Sequence, residues 1–364
     1  MNWNSCTIMH GEKDVVSISK DGECKIINSE FMPYNLYFSI DDKSISGRIN
    51  NLNNFNYWCS SRLLTLDRKY AKEILNSIGK KQAVTDQDRA EIAISYHCLS
   101  LTDIYWVKTD NEPLKFADIN LYQHSLSNSF VDVSLCGKQL TVENSKLIKN
   151  VDVAGDIGTS GVAPKAWVRQ NGKFYLYKDG DIRDVKAELL ASKIIDCFDV
   201  KHIQYNEYVY DKQKVSACEI ITSLDKSIVP IEHIEIYCVN NDIELLDLIK
   251  KYDSYSYYMM NIVDYLVGNT DRHWANWGFW VNNQNNSLIE LYPLMDFNKA
   301  FNSYETIEGA RCQTTKELCS QMDAAIDAVK HIGLNQIADA NKDWFTNSAE
   351  YEMFIKRLDI LKSV

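Results

Sequence analysis

Apolar and polar positions alternate with a period of two through VVSISKDGECKII (15–27), on either side of an Asp21-Gly22 turn. That is the pattern of a β-hairpin, and residues 13–48 read as short strands. Residues 67–105 carry helical spacing instead, in one segment that stops at Gly79 and a second over 86–101. The aromatic cluster Leu101–Val107 reads as packing of this first region onto the rest of the chain. Asparagine-rich stretches, Asn50–Asn56 and Asn282–Asn286, read as turns because asparagine bonds to its own backbone. Further on, Lys173–Lys178 predicts a strand, residues 185–198 an amphipathic helix, and residues 202–222 two more strands. From about 243 the spacing predicts a helix to Val267. A hairpin of 277–281 and 288–295 comes next, and helices such as 316–333 close the chain. Strands with one helix, then helices with one hairpin, describe an α+β fold of two lobes, the first small and β-rich, the second larger and helical.

Composition narrows the classes. The chain has 364 residues, 45% hydrophobic and 24% charged, which suits an ordinary folded protein with a sizeable core. Its net charge of −11 argues against direct nucleic-acid binding, since phosphate contacts need a basic stripe. Ten cysteines are scattered without a CxxC pair, Cys312 and Cys319 being the nearest two, and no histidines stand at HExxH spacing. The start lacks a basic segment leading into an apolar one, and no apolar run is long enough to cross a bilayer. The expectation is a reduced, cytoplasmic protein with no membrane partner.

Of 14 glycines, Gly155, Gly158, Gly161, Gly172 and Gly180 crowd one short span. Its core, GDIGTSGVAPKAWV (155–168), fits neither the Walker nor the dinucleotide fingerprint. Small residues there let backbone N–H groups approach a polyphosphate; a plain hairpin loop is the other reading. Lys178 ends the following strand, where its ammonium can meet phosphate oxygens, and Glu188 lies on the next helix, able to hold that ammonium. The most specific stretch is Asn269-Thr-Asp-Arg-His-Trp-Ala-Asn-Trp-Gly278. Asp271 and Asn276 stand five apart, and Asp296 comes after the next hairpin. Phosphoryl transfer needs a carboxylate to orient the attacking hydroxyl and oxygen ligands for Mg²⁺. Asp271 suits the first role, Asn276 and Asp296 the second. His273 reads as a brace for the loop, and Trp274, Trp277 and Trp280 as packing.

Glycine-rich loop, strand lysine, helix glutamate, D-x-x-x-x-N and a later aspartate come in the chain order of a protein-kinase-like fold. The wording NTDRHxxNxGF followed by P-L-x-D resembles the HipA-like serine/threonine kinases, the bacterial toxin-kinase family. DRHxxN is also similar to the loop of phosphatidylinositol kinases. The resemblance covers roughly 150–310. The expected division is a kinase N-lobe at 146–224 and a C-lobe at 225–364, with an accessory α/β region at 1–145. The resemblance implies ATP and Mg²⁺, with Asp271 as catalytic base, Asn276 and Asp296 as metal ligands, and Lys178 on the ATP phosphates, steadied by Glu188. The nucleotide contacts extend to Gly158, Thr159, Ser160 and Gly161 in the loop and to the backbone near Glu219 and Ile221 at the adenine. Thr159 and Ser160 match a loop hydroxyl that the family can autophosphorylate. Where relatives have Gly-Ala-Gln-x-Lys, this chain has Gly161-Val-Ala-Pro-Lys165, so Lys165 is either a second phosphate contact or a strand-start residue. Residues 1–145 do not read like the family's short N-terminal subdomain. The implied partners are a protein substrate and an antitoxin or regulatory protein. A nucleotide-binding pseudokinase that regulates a partner, or a kinase of small molecules or lipids, would use the same residues.

Overall fold

The computed structural model describes residues 3–79, 85–110, 112–124, 128–138, 158, 162–179, 182–302 and 304–364. They divide into two compact units. The first holds 1–178, 220–228 and 281–287; the second holds 179–219, 229–280 and 288–364.

The first unit begins with an antiparallel sheet of β1 (Ser5–His10), β2 (Lys13–Ser19), β3 (Cys24–Ile26) and β4 (Tyr105–Thr109), ordered β3-β2-β1-β4. The expected Asp21-Gly22 hairpin is there, with Val16 opposite Ile26. Gly22 has φ +80°, and a Cβ at that position would collide with the Arg48 backbone, so the turn needs glycine. The β4 strand, with Tyr105 and Trp106 in the aromatic cluster, pairs with β1 rather than ending a helical stretch. Helices α1 (Ile45–Ser61), α2 (Ala71–Ser77), α3 (Asp86–Ser95), α4 (Phe116–Ile119) and α5 (Asn128–Cys136) complete this part. Ile8, Val16, Ile18 and Trp106 from the sheet share one core with Phe55, Trp58 and Cys59 from α1.

One expectation fails here. Asn50–Asn56 is not a turn but the middle of α1. The helix starts at the Ser44 cap, whose Oγ accepts from the Gly47 N–H at 3.1 Å, and Phe55, Trp58 and Cys59 give it a buried face. Asn51 is itself buried, accepting from the Ser39 N–H at 2.9 Å and donating to the Gly22 carbonyl at 3.2 Å. Tertiary burial thus outweighs the local turn chemistry of asparagine. By contrast, Asn283–Asn286 is a turn as expected, and the Asn286 amide donates to the Glu30 and Met32 carbonyls at 3.0 Å each.

Strands β5 (Lys165–Gln170) and β6 (Lys173–Lys178) form a hairpin whose Asn171-Gly172 turn has φ of 50° and 81°. Positive φ at both central residues is the type I′ geometry that matches strand twist.

The second unit contains α6 (Ile182–Ile195), the antiparallel pair β7 (Asn206–Tyr210) and β8 (Gln213–Glu219), α7 (Ile231–Asn240), α8 (Leu245–Val267), α9 (Gln321–Ile332) and α10 (Ser348–Lys362). Strands β9 (Lys226–Pro230), β10 (Gly278–Asn282) and β11 (Ser287–Leu291) form a sheet ordered β11-β10-β9. Helix α8 supplies much of the core, with Met259, Met260, Ile262, Val263 and Leu266 fully buried. It breaks at Asp253, which has non-helical angles and whose carboxylate accepts from the Ser256 and Leu291 N–H groups. The predicted helix at 316–333 starts only at Gln321. Ser320 caps it through a capping box, and an Arg311–Ser320 bridge closes 312–319 into a loop. Arg357 of α10 is buried, donating to the Tyr265 carbonyl at 2.5 Å and the Thr306 carbonyl at 2.7 Å.

Candidate active site

The loop after α8 is held from below. The helix ends where Gly268 takes φ +61°, a position at which a Cβ would strike the Tyr304 ring. The chain turns back at once: the Asn269 N–H donates to the Asp264 carbonyl at 2.9 Å, and its side-chain amide to Asp264 Oδ1 at 3.0 Å. Arg272 then grips Asp264 with two bonds, Nε to Oδ2 at 2.8 Å and Nη2 to Oδ1 at 3.0 Å. Its remaining nitrogen, Nη1, donates to the Asn276 carbonyl at 3.2 Å and the Met295 carbonyl at 2.5 Å. The guanidinium also lies over the Phe297 ring, 4.8 Å from its centre. Burial works against the Arg272 charge, but Asp264 more than compensates and holds its pKa above the usual value. One buried arginine therefore ties α8, the 269–276 loop and the strand-end segment before Asp296 together.

Asp271 and Asn276 sit on this loop. The Asn276 amide nitrogen donates to the Asp271 carbonyl at 2.5 Å, and the Asn276 N–H to the His273 carbonyl at 2.9 Å. That leaves Asn276 Oδ1 as the acceptor end of a buried side chain. Asp296 adopts φ +64°, a left-handed conformation rare outside glycine, and its N–H donates to the Tyr205 hydroxyl at 3.1 Å. Burial raises the Asp271 pKa, and the Asp296 charge raises it further; His273, Lys299 and Arg272 oppose the rise. Two carboxylates that feel one another in this way are where a cation would be favoured. His273 is exposed and accepts from the Ala275 N–H through Nδ1 at 3.2 Å, the bracing role its position suggested. Trp277 is buried, and Trp274 Nε1 donates to the Gln313 carbonyl at 3.0 Å. The sequence-predicted residues Asp271, Asn276 and Asp296 thus share one place.

Among the described residues no group of three or more His, Cys, Asp or Glu side chains is placed to hold a metal. Mg²⁺ does not need such a cage, because it keeps waters and takes one or two protein oxygens plus phosphates. The hard oxygens of Asn276 and Asp296 fit that donor set.

Elsewhere, Lys165 and Lys178 are cross-strand partners, directly opposite in the β5–β6 register, and both are buried. Their side chains therefore leave one face of the hairpin together. Glu188 is buried on α6 and accepts a short hydrogen bond from the Ser216 hydroxyl. Glu219 is the exposed last residue of β8, Ile221 is half-buried, and the intervening Ile220 N–H donates to the Phe174 carbonyl at 2.9 Å. Gly158 lies in a turn; Thr159, Ser160 and Gly161 fall outside the described residues. Sequence reasoning missed Asp264, Arg272 and Lys299. The motif itself contained Arg272, and an arginine inside an otherwise polar loop, eight residues after an aspartate on an apolar helix, was the available signal.

No protein-family model matches the chain, and no curated protein matches it in sequence. Solved structures do. HipA of the toxin–antitoxin system of Shewanella oneidensis MR-1, solved with HipB and its operator DNA, aligns over 98% of this chain and 97% of its own, with a TM-score of 0.55 and 11% identity. The proinflammatory kinase CtkA of Helicobacter pylori aligns over 55% of this chain and 90% of its own, with a TM-score of 0.40 and 18% identity. The HipA alignment establishes the fold along almost the whole length. The chain has the mixed α+β fold of HipA, as the DRHxxN resemblance implied.

Proposed function

We propose that the protein transfers the γ-phosphoryl group of ATP, with Mg²⁺, to a serine or threonine hydroxyl of a protein substrate. The observation that carries this reading is the shared position of Asp271, Asn276 and Asp296 around a loop locked by the Asp264–Arg272 pair. HipA-like architecture supports it at the level of fold.

In this reading the substrate hydroxyl donates to the Asp271 carboxylate, which orients it and accepts its proton. The hydroxyl oxygen bonds to the γ-phosphorus while the bond to the β–γ bridging oxygen breaks, and ADP leaves. Asn276 Oδ1 and the Asp296 carboxylate would hold Mg²⁺, which offsets charge on the phosphate oxygens. Arg272 touches no reacting atom; it fixes the carbonyls of Asn276 and Met295, and so the two ends from which the ligands project. The part of Lys178 as positive charge for the phosphates comes from the resemblance; Lys165 stands opposite it in the β5–β6 register. The glycine-loop contacts at Gly158, Thr159, Ser160 and Gly161, the hinge contacts at Glu219 and Ile221, and the part of Glu188 beside Lys178 come from the resemblance. Phosphorylation of Thr159 or Ser160 would add about −1.5 to −2 charges where ATP phosphates must sit and oppose nucleotide binding.

HipA is solved with HipB, and a protein partner of the antitoxin kind is proposed here on that likeness. Among the described residues no helix is long and apolar enough to cross a membrane. The direct test is the intact mass of the purified protein after incubation with Mg-ATP, beside an Asp296→Ala control. Phosphate gained by the wild type alone supports transfer. Nucleotide binding without any transfer to added proteins would favour a regulatory module.

A further inference from the structure

Lys299 stands three residues after Asp296, and its ammonium meets the Asp184 carboxylate at 2.6 Å. Asp184 belongs to the first turn of α6 and its side chain is 17% exposed, while that of Lys299 is 39% exposed, so one member of the pair is sheltered and the other reaches solvent. Four residues later on the same helix comes Glu188, one turn along and on the same face. Glu188 is in turn fixed by the Ser216 hydroxyl of β8. The backbone of Lys299 faces the other way: its carbonyl accepts from the Thr270 hydroxyl at 3.4 Å, immediately before Asp271. Two residues on, the Phe301 N–H donates to the Val267 carbonyl at 2.9 Å, at the end of α8. Lys299 is thus joined to the loop of Asp271 through its main chain and to the helix of Glu188 through its side chain.

We infer that Asp184 and Lys299 form a positioning pair that holds α6 in register with the segment bearing Asp296, and that phosphoryl transfer is fast only while the pair is closed. This rests on the proposed phosphotransfer. The acidic partner sits in the first turn of α6, where the helix dipole favours negative charge. A bare surface ion pair would contribute little to stability and nothing to turnover. A positioning pair differs in that the loss appears in kcat and is shared by both residues rather than summed.

The experiment compares Asp184→Asn, Lys299→Met, the double variant and Lys299→Arg in the full chain. Two readouts are taken: ADP release from Mg-ATP, and backbone amide exchange over 182–195 and 296–301 without nucleotide. Each single neutral variant is expected to lower kcat by about tenfold, roughly 1.4 kcal/mol, with little change in the KM for ATP. The double variant should lose no more than the worse single, because each change breaks the same contact. Lys299→Arg should keep most of the activity. Exchange should quicken in both segments together in either single variant.

Losses that add in the double variant, unchanged turnover in the singles, or faster exchange confined to one segment would each overturn the pairing. A wild type that releases no ADP refutes the phosphotransfer reading instead, and the exchange data then decide the pairing alone.

Discussion

Arg272 holds Asp264 through both carboxylate oxygens, at 2.8 and 3.0 Å, and the two side chains are 3% and 6% exposed. Neither residue can reach a substrate, yet together they set the loop on which Asp271 and Asn276 lie. A buried pair of this kind costs desolvation to form, and its worth lies in what it specifies. Removing one member leaves the other charge buried and alone. Arg272→Met should therefore destabilise the second unit by about 3–5 kcal/mol. Urea unfolding followed by tryptophan fluorescence checks this, since Trp274 and Trp277 flank the loop. The isosteric Asp264→Asn should keep the fold better while still loosening the loop. A change under about 1 kcal/mol in Arg272→Met would show that the pair is dispensable.

Asp271→Asn removes the proposed proton acceptor but keeps the shape of the loop, because the bond from Asn276 goes to the Asp271 main-chain carbonyl. Transfer should fall by about 10²–10⁴-fold. Nucleotide affinity by calorimetry should stay within a few-fold of wild type. Equal loss of both would mean the side chain supports binding rather than chemistry.

Lys178→Met and Lys165→Met separate the two lysines that face each other across β5 and β6. If both meet phosphate, each variant weakens ATP binding. If Lys165 is only a strand-start residue, Lys165→Met leaves ATP affinity unchanged. Titration calorimetry with Mg-ATP distinguishes the two.

His10 gives a pH dependence in the first unit. It is buried between the Phe31 and Tyr105 rings, with centroids 5.1 and 4.7 Å away. Burial lowers its pKa to about 4, with Asp103 opposing and Lys13 assisting. The folded protein therefore resists a proton that the unfolded chain accepts below about pH 6.5. The contribution to stability is complete above about pH 6.5 and is lost as pH falls toward 4, by about 3 kcal/mol in all. His10→Phe should flatten that slope between about pH 6.5 and 4 in chemical denaturation. An unchanged slope would assign the acid sensitivity to other groups.

Much of the fold was legible because period and turn chemistry agreed. The Asp21-Gly22 hairpin and the helix ending at Val267 each had a strong local signal and a glycine at the break, and the strand at Lys173–Lys178 had its alternation. Where the reading failed, tertiary contacts decided. Asn50–Asn56 looks like a turn until Phe55, Trp58 and the buried Asn51 are seen to pin it as a helix. Helix α9 begins late because the bridge between Arg311 and Ser320, invisible in one dimension, claims the residues before it. The same holds at the site. Asp271, Asn276 and Asp296 could be picked by spacing as the types that the proposed phosphotransfer would need, and the fold brings the Asn276 amide onto the Asp271 carbonyl. Asp264 reads as one more polar residue in a helix, and Lys299 and Asp184 are 115 positions apart in sequence. Their roles depend on distances that only folding creates.

Phosphoryl transfer through Asp271, Asn276 and Asp296 is tested most directly by intact mass after incubation with Mg-ATP, with Asp296→Ala in parallel. The expected result is one or more added phosphates with the wild type, on an added protein substrate or on the chain itself, and none with the variant. Equal phosphate with both proteins, or none with either alongside no measurable affinity for Mg-ATP, would contradict it.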